Sequence, residues 1–188
     1  DGNTLGVIRD RAQSIGSRFW YDELGRLVLS QNAKQYNIQS YLNENQYAGI
    51  VVPGNTNTRV RAYSYTLYDD IGRITEVGEL LTRDELTTYK HESQVRYTDA
   101  ESFVVAGEVH QITRNYYDRA VFQNLSQNFI QENLRPRVAS VTYQDREGAT
   151  YDRATHYSYD IHGNVNTMLQ EIHAAGEDIF KRLDYDYD

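Results

Sequence analysis

The chain has 188 residues, a formal net charge of −8, a pI near 5.1 and a mean hydropathy of −0.72. That balance offers no basic face to neutralise phosphates, which argues against nucleic acid or anionic lipid as partners. No apolar run approaches the ~20 residues a membrane-crossing helix needs, and the absence of cysteine removes any disulfide framework while leaving the redox compartment open.

Aliphatic core formers are scarce, but tyrosine occurs 17 times and aromatics make up 12% of the chain. Tyrosine must therefore supply much of the packing. Its ring suits a half-buried pleated surface while its hydroxyl reaches water or a backbone partner, so the bias is towards strand.

In chain order, the first legible element is a strand through Phe19 and Tyr21, followed by Tyr21-Asp22-Glu23-Leu24-Gly25-Arg26-Leu27 and a strand through Leu27, Val28 and Leu29. Asp can open a turn by accepting from the N–H two residues on. Gly three positions later can take the left-handed conformation that closes a bulged loop. Residues 32–57, rich in Asn and Gln, read as an inserted loop or short helix. Tyr63, Tyr65 and Leu67 then lead into a second copy, Tyr68-Asp69-Asp70-Ile71-Gly72-Arg73-Ile74, with Val77 beyond it.

A second insertion spans residues 82–102, where Thr82 followed by Glu85 predicts a capped helix running towards His91. Tyr117-Asp118-Arg119-Ala120-Val121 is a degenerate copy, at 117–121, that has lost the glycine. A helical turn is expected over residues 125–133, ended by Pro136. Residues 137–143 then predict a strand, with a turn over 144–148. The third intact copy is Tyr159-Asp160-Ile161-His162-Gly163-Asn164-Val165, leading into Thr167 and Leu169. Tyr185-Asp186-Tyr187-Asp188 reads as the start of another, so the chain is expected to be a section of a longer polypeptide. Successive copies begin 47, 49 and 42 positions apart, roughly twice the ~20 residues of a two-stranded unit.

Three intact copies, at 21–27, 68–74 and 159–165, predict an all-β fold of sequential antiparallel hairpins with short helical or loop insertions. The Tyr-Asp pair, two variable residues, Gly and then Arg or Asn resemble the YD repeat of bacterial RHS proteins, which also occurs in the B and C components of insecticidal toxin complexes and in teneurins. The resemblance covers nearly the whole chain loosely. It implies a non-catalytic section of an extended, spiralling β-sheet shell in a secreted or cell-surface protein, delivering an enclosed C-terminal toxin or effector. The implied partners are the remainder of the same polypeptide, that toxin domain and a secretion or delivery partner. The alternative is the repeat scaffold of an adhesin that binds glycans or neighbouring cells.

The residues singled out are accordingly those of the turns: Tyr21, Asp22, Gly25, Arg26; Tyr68, Asp69, Gly72, Arg73; Tyr117, Asp118; and Tyr159, Asp160, Gly163, Asn164. Asp22, Asp69 and Asp160 are expected to bind backbone N–H groups rather than act as catalytic carboxylates. Residues 184–188 alternate like a calcium loop but lack its Gly and later Glu. The five histidines include no His-Glu-x-x-His pair and are expected at the surface or in turns. There is no Gly-x-Ser-x-Gly elbow and no phosphate loop, so no catalytic, metal or cofactor residue is assigned. Trp20, between Phe19 and Tyr21, is expected to pack within the sheet rather than stack on a sugar. Isolated from its neighbours, such a section is expected to depend on further strands to cover its edges.

Overall fold

The computed structural model describes residues 16–36, 60–84, 95–125, 128–148, 150–174 and 177–187. Nine strands account for most of these residues: β1 (Arg18–Tyr21), β2 (Leu27–Gln31), β3 (Arg61–Tyr68), β4 (Ile74–Thr82), β5 (Glu108–Tyr117), β6 (Val138–Arg146), β7 (Arg153–Tyr159), β8 (Val165–Ala174) and β9 (Glu177–Asp184). Two short helices, α1 (Ala33–Tyr36) and α2 (Tyr97–Val105), complete the described elements. The strands follow one another in chain order within one sheet. The pairings β1–β2, β2–β3, β6–β7, β7–β8 and β8–β9 are antiparallel. The all-β expectation therefore holds.

The chain divides into two compact units, one of Asp1–Leu67 with Val77–His110 and one of Tyr68–Glu76 with Gln111–Asp188. In the first, Trp20 meets Tyr63 edge-on at 5.6 Å, and Tyr63 meets Phe103 of α2 at 5.7 Å. Trp20 is buried in this stack, so it presents no open face to a ligand. Ala100 and Val104, one helical turn apart, are the buried positions of α2. Leu29, Leu80 and Leu81 have no exposed surface, and together with Tyr65 they give this unit an apolar interior of the kind that hydrophobic burial favours.

The second unit has a more polar interior. Alternate residues of β6 and β7, Ser140, Thr142, Gln144, Ala154, His156 and Ser158, point to the buried face, joined by Leu169 and Glu171 of β8. A separate cluster gathers Leu134, Ala139 and Tyr159, with Tyr157 and Val165 against it.

Several local expectations are corrected. Thr82 is the last residue of β4, and its Oγ1 accepts from the Asp84 N–H at 3.1 Å; the helix expected to follow it towards His91 lies outside the described residues. Residues 85–94 lie outside the described residues, as do 37–59 of the first insertion. Among the described residues of the second insertion, the helix is α2, whose N-cap, Arg96, makes no side-chain capping bond. Across 125–133, the described residues carry no helix. Asn128 and Asn133 have φ of +51° and +53°, and the Gln131 amide instead donates to the carbonyls of Ala139 and Tyr157. β6 runs on through residues 144–146, where a turn was expected, because Gln144 is buried and the Asp152 N–H holds the Tyr143 carbonyl. The Arg135–Pro136 peptide is cis.

Candidate functional site

The three intact turns are built alike. Each joins two adjacent strands, β1 to β2, β3 to β4 and β7 to β8. In the first, the Asp22 N–H donates to the Arg26 carbonyl and the Gly25 N–H to the Asp22 carbonyl, both at 3.0 Å. Asp22 Oδ1 accepts from the N–H groups of Leu24 and Arg26 at 2.9 and 2.8 Å, and Oδ2 accepts from Arg26 Nε at 2.7 Å. Asp69 repeats every one of these contacts with Ile71, Gly72 and Arg73. Asp160 repeats them with His162, Gly163 and Asn164, the Asn164 amide replacing the guanidinium at 2.9 Å.

Gly25, Gly72 and Gly163 have φ of +76°, +87° and +95°, a region that a side chain on Cα disfavours by roughly 1–2 kcal/mol. The pairing register shifts between Trp20 and Tyr21 and between Ser158 and Tyr159, which places a bulge at the entrance to the first and third turns. Each tip carries an exposed aliphatic side chain: Leu24, Ile71 and Ile161.

The degenerate copy behaves differently. β5 ends at Tyr117, and β6 does not begin until Val138, so no tight hairpin forms. Asp118 itself takes φ +68°, and its N–H donates to the Arg137 carbonyl at 3.1 Å. Its carboxylate accepts from both terminal nitrogens of Arg73, at 3.1 and 2.8 Å. Arg73 thus bridges Asp69 and Asp118, and it lies over the Tyr117 ring at 4.2 Å. The bond from Arg73 holds the Asp118 carboxyl below the usual carboxylate range. Asp69 is also lowered: burial pushes it up, but the backbone N–H and guanidinium of Arg73 outweigh that. Asp160 is lowered chiefly by the Asn164 side chain.

A buried polar chain lies elsewhere in the second unit. Ser140 Oγ is 2.8 Å from His156 Nδ1, and His156 Nε2 is 3.5 Å from Glu171 Oε2, which accepts from the Tyr151 hydroxyl at 2.8 Å. Phe122 packs edge-on against His156 and Tyr151. Burial depresses the His156 pKa despite the opposing pull of Glu171, and burial with the bond to Glu171 raises that of Tyr151.

Sequence reasoning missed this Ser/His/Glu contact, because its members sit 16 and 15 residues apart and only the β6–β7–β8 register joins them. Ser140 and His156 have no exposed surface, so the pair meets in the interior and not in a cleft. His110 is buried too, which corrects the placing of histidines at the surface. Among the described residues, no group of three or more His, Cys, Asp or Glu side chains is arranged to hold a metal. No described helix is long and apolar enough to cross a membrane.

At the C-terminal end, Asp184 accepts from Arg182 and Thr167, which lowers its pKa. Tyr185 to Tyr187 continue past β9 outside any strand, and Asp188 lies outside the described residues. Compared with protein-family models, with curated proteins and with solved structures, the chain matches none.

Proposed function

We propose that this chain is a non-catalytic wall section of an RHS/YD-repeat shell, in a secreted or cell-surface protein that encloses and delivers a C-terminal toxin or effector. The observation that carries the reading is the threefold recurrence of one turn, with the same donors, the same acceptors and a glycine of positive φ each time. A turn repeated in such detail belongs to an array in which each hairpin buries its face on the next. The sequential strand order fits the same architecture, since each hairpin then adds to the one before. The turn carboxylates are already engaged by backbone N–H groups, which supports a scaffolding role for them over catalysis.

The edge supports dependence on further chain. β9 ends the strand order, and Ile179 and Phe180 on it are exposed beside an exposed Ile172 of β8. An open, partly apolar edge is stabilised by another strand.

Limited proteolysis of the native parent protein, with the surviving pieces mapped by mass spectrometry, tests the reading. The expected result is a C-terminal fragment protected only while the repeats are intact. Even cleavage at the loops with nothing sheltered would replace the carrier by an open scaffold of the adhesin kind.

A further inference from the structure

In three of the Tyr-Asp pairs, those of Tyr117, Tyr159 and Tyr187, the tyrosine hydroxyl bonds to a carbonyl outside its own turn. The Tyr117 hydroxyl donates at 2.8 Å to the carbonyl of Ile74, the residue immediately after Arg73. The Tyr159 hydroxyl donates at 2.8 Å to the carbonyl of Val138, immediately after Arg137. The Tyr187 hydroxyl donates at 2.9 Å to the carbonyl of Val165, immediately after Asn164. In the two cases where the preceding residue is arginine, its guanidinium covers the same tyrosine ring, Arg73 over Tyr117 at 4.2 Å and Arg137 over Tyr159 at 5.4 Å.

We propose that these pairs are inter-hairpin clasps, in which the tyrosine of one copy seats on the Arg-aliphatic step that opens the preceding copy's second strand. Two bonds of different kinds converge in each clasp. A phenolic hydroxyl takes one carbonyl at a fixed position, and a cation lies on the ring that carries it. Because the arginine and the accepting carbonyl are consecutive residues, a one-residue slip would break both contacts. The clasp therefore sets the register between these hairpins; in the first copy the corresponding guanidinium, Arg26, lies instead over the Tyr97 ring at 5.0 Å. The copy at 159–165 has a weaker clasp, since Asn164 reaches Asp160 but is too short to cover Tyr187.

The inference rests on the repeat reading above, but its test uses this chain alone and is independent of any enclosed cargo. Amide hydrogen exchange is followed in the whole chain for Tyr117→Phe, Arg73→Gln, the double variant and Asn164→Arg. Tyr117→Phe is expected to speed exchange in β4 near Ile74 and at the end of β5 by about two- to ten-fold, the range of one hydrogen bond. Arg73→Gln, which also loses the bonds to Asp69 and Asp118, should act on the same amides by at least about two- to five-fold. The double variant should fall short of the product of the two effects, because they share one contact.

Asn164→Arg keeps a donor for Asp160 and is expected to slow exchange around Val165 and Tyr185. Unchanged exchange in both single variants, or strictly multiplicative effects together with no gain in Asn164→Arg, would overturn the clasp. Sheltered cargo in the parent protein with no such exchange signature would leave the wall reading standing without it.

Discussion

The turn at Asp69 and the connection at Asp118 begin with the same two residues, Tyr then Asp, and end in different structures. At Asp69 the carboxylate closes on its own loop, and β4 starts at once with Ile74. At Asp118 the carboxylate is given over to Arg73, and twenty residues separate β5 from β6. What differs is the residue three beyond the aspartate, Gly72 in one and Val121 in the other. With glycine, the chain turns back within its own hydrogen-bond reach. Without it, the left-handed step falls on Asp118 itself, and the freed carboxylate serves the neighbouring copy.

The largest test of this comparison removes an aspartate from an intact turn. Asp22 is the best buried of the three, with no exposed side-chain surface, and its carboxylate accepts three hydrogen bonds. Asp22→Ala is expected to cost about 2–3 kcal/mol, since the charge-assisted bonds are lost and the N–H groups of Leu24 and Arg26 lose their acceptor. The same change at Asp160, which is only half-buried, should cost less. Urea denaturation of both variants measures this; equal losses would mean that burial adds nothing to the turn.

A smaller effect separates the two kinds of aspartate by pH. The folded-state pKa values of Asp69, Asp118 and Asp160 lie below their ordinary values. Each therefore contributes stability that is complete above about pH 4 and is lost as the pH falls through the folded value. The cause differs, since Asp118 depends on the Arg73 side chain and Asp160 on its own loop. In Arg73→Gln, carboxyl-detected NMR titration is expected to show Asp118 returning towards ~3.9 while Asp160 stays depressed. Equal movement of Asp118 and Asp160 would defeat the distinction.

The turns were legible because all their chemistry is local: Asp, Gly and Arg lie within five residues and need no partner from elsewhere. The capping pattern at Thr82 and Glu85 is equally local, but the residues it would cap lie outside the described ones; Thr82 itself ends β4 behind the fully buried Leu80 and Leu81. The helix at Tyr97 was missed because Arg96 provides no capping bond and only the spacing of Ala100 and Val104 marks it. The path of residues 128–134 is set by long-range bonds to β6 and β7, such as the Tyr159 N–H to the Glu132 carbonyl. Ser140, His156 and Glu171 belong to the same class. Three strands must pair in register before they touch, and no residue near any of them announces the contact.

The smallest effect is expected from restoring the missing glycine. Val121→Gly recreates the spacing of an intact copy but should not create its hairpin. The connection is committed elsewhere: Asp118 is held by Arg73 and by the Arg137 carbonyl, and Phe122 packs edge-on against Tyr116, Tyr151 and His156. A tight turn at 118–121 would pull Phe122 out of that contact, and β6 would still begin only at Val138. Because Val121 is itself exposed, the substitution should change stability by no more than about 0.5 kcal/mol. Exchange at the Asp118 amide should stay slow. A new protected pairing over residues 117–125 would show instead that the glycine alone decides between the two structures, and that the anchoring of Phe122 follows from its loss.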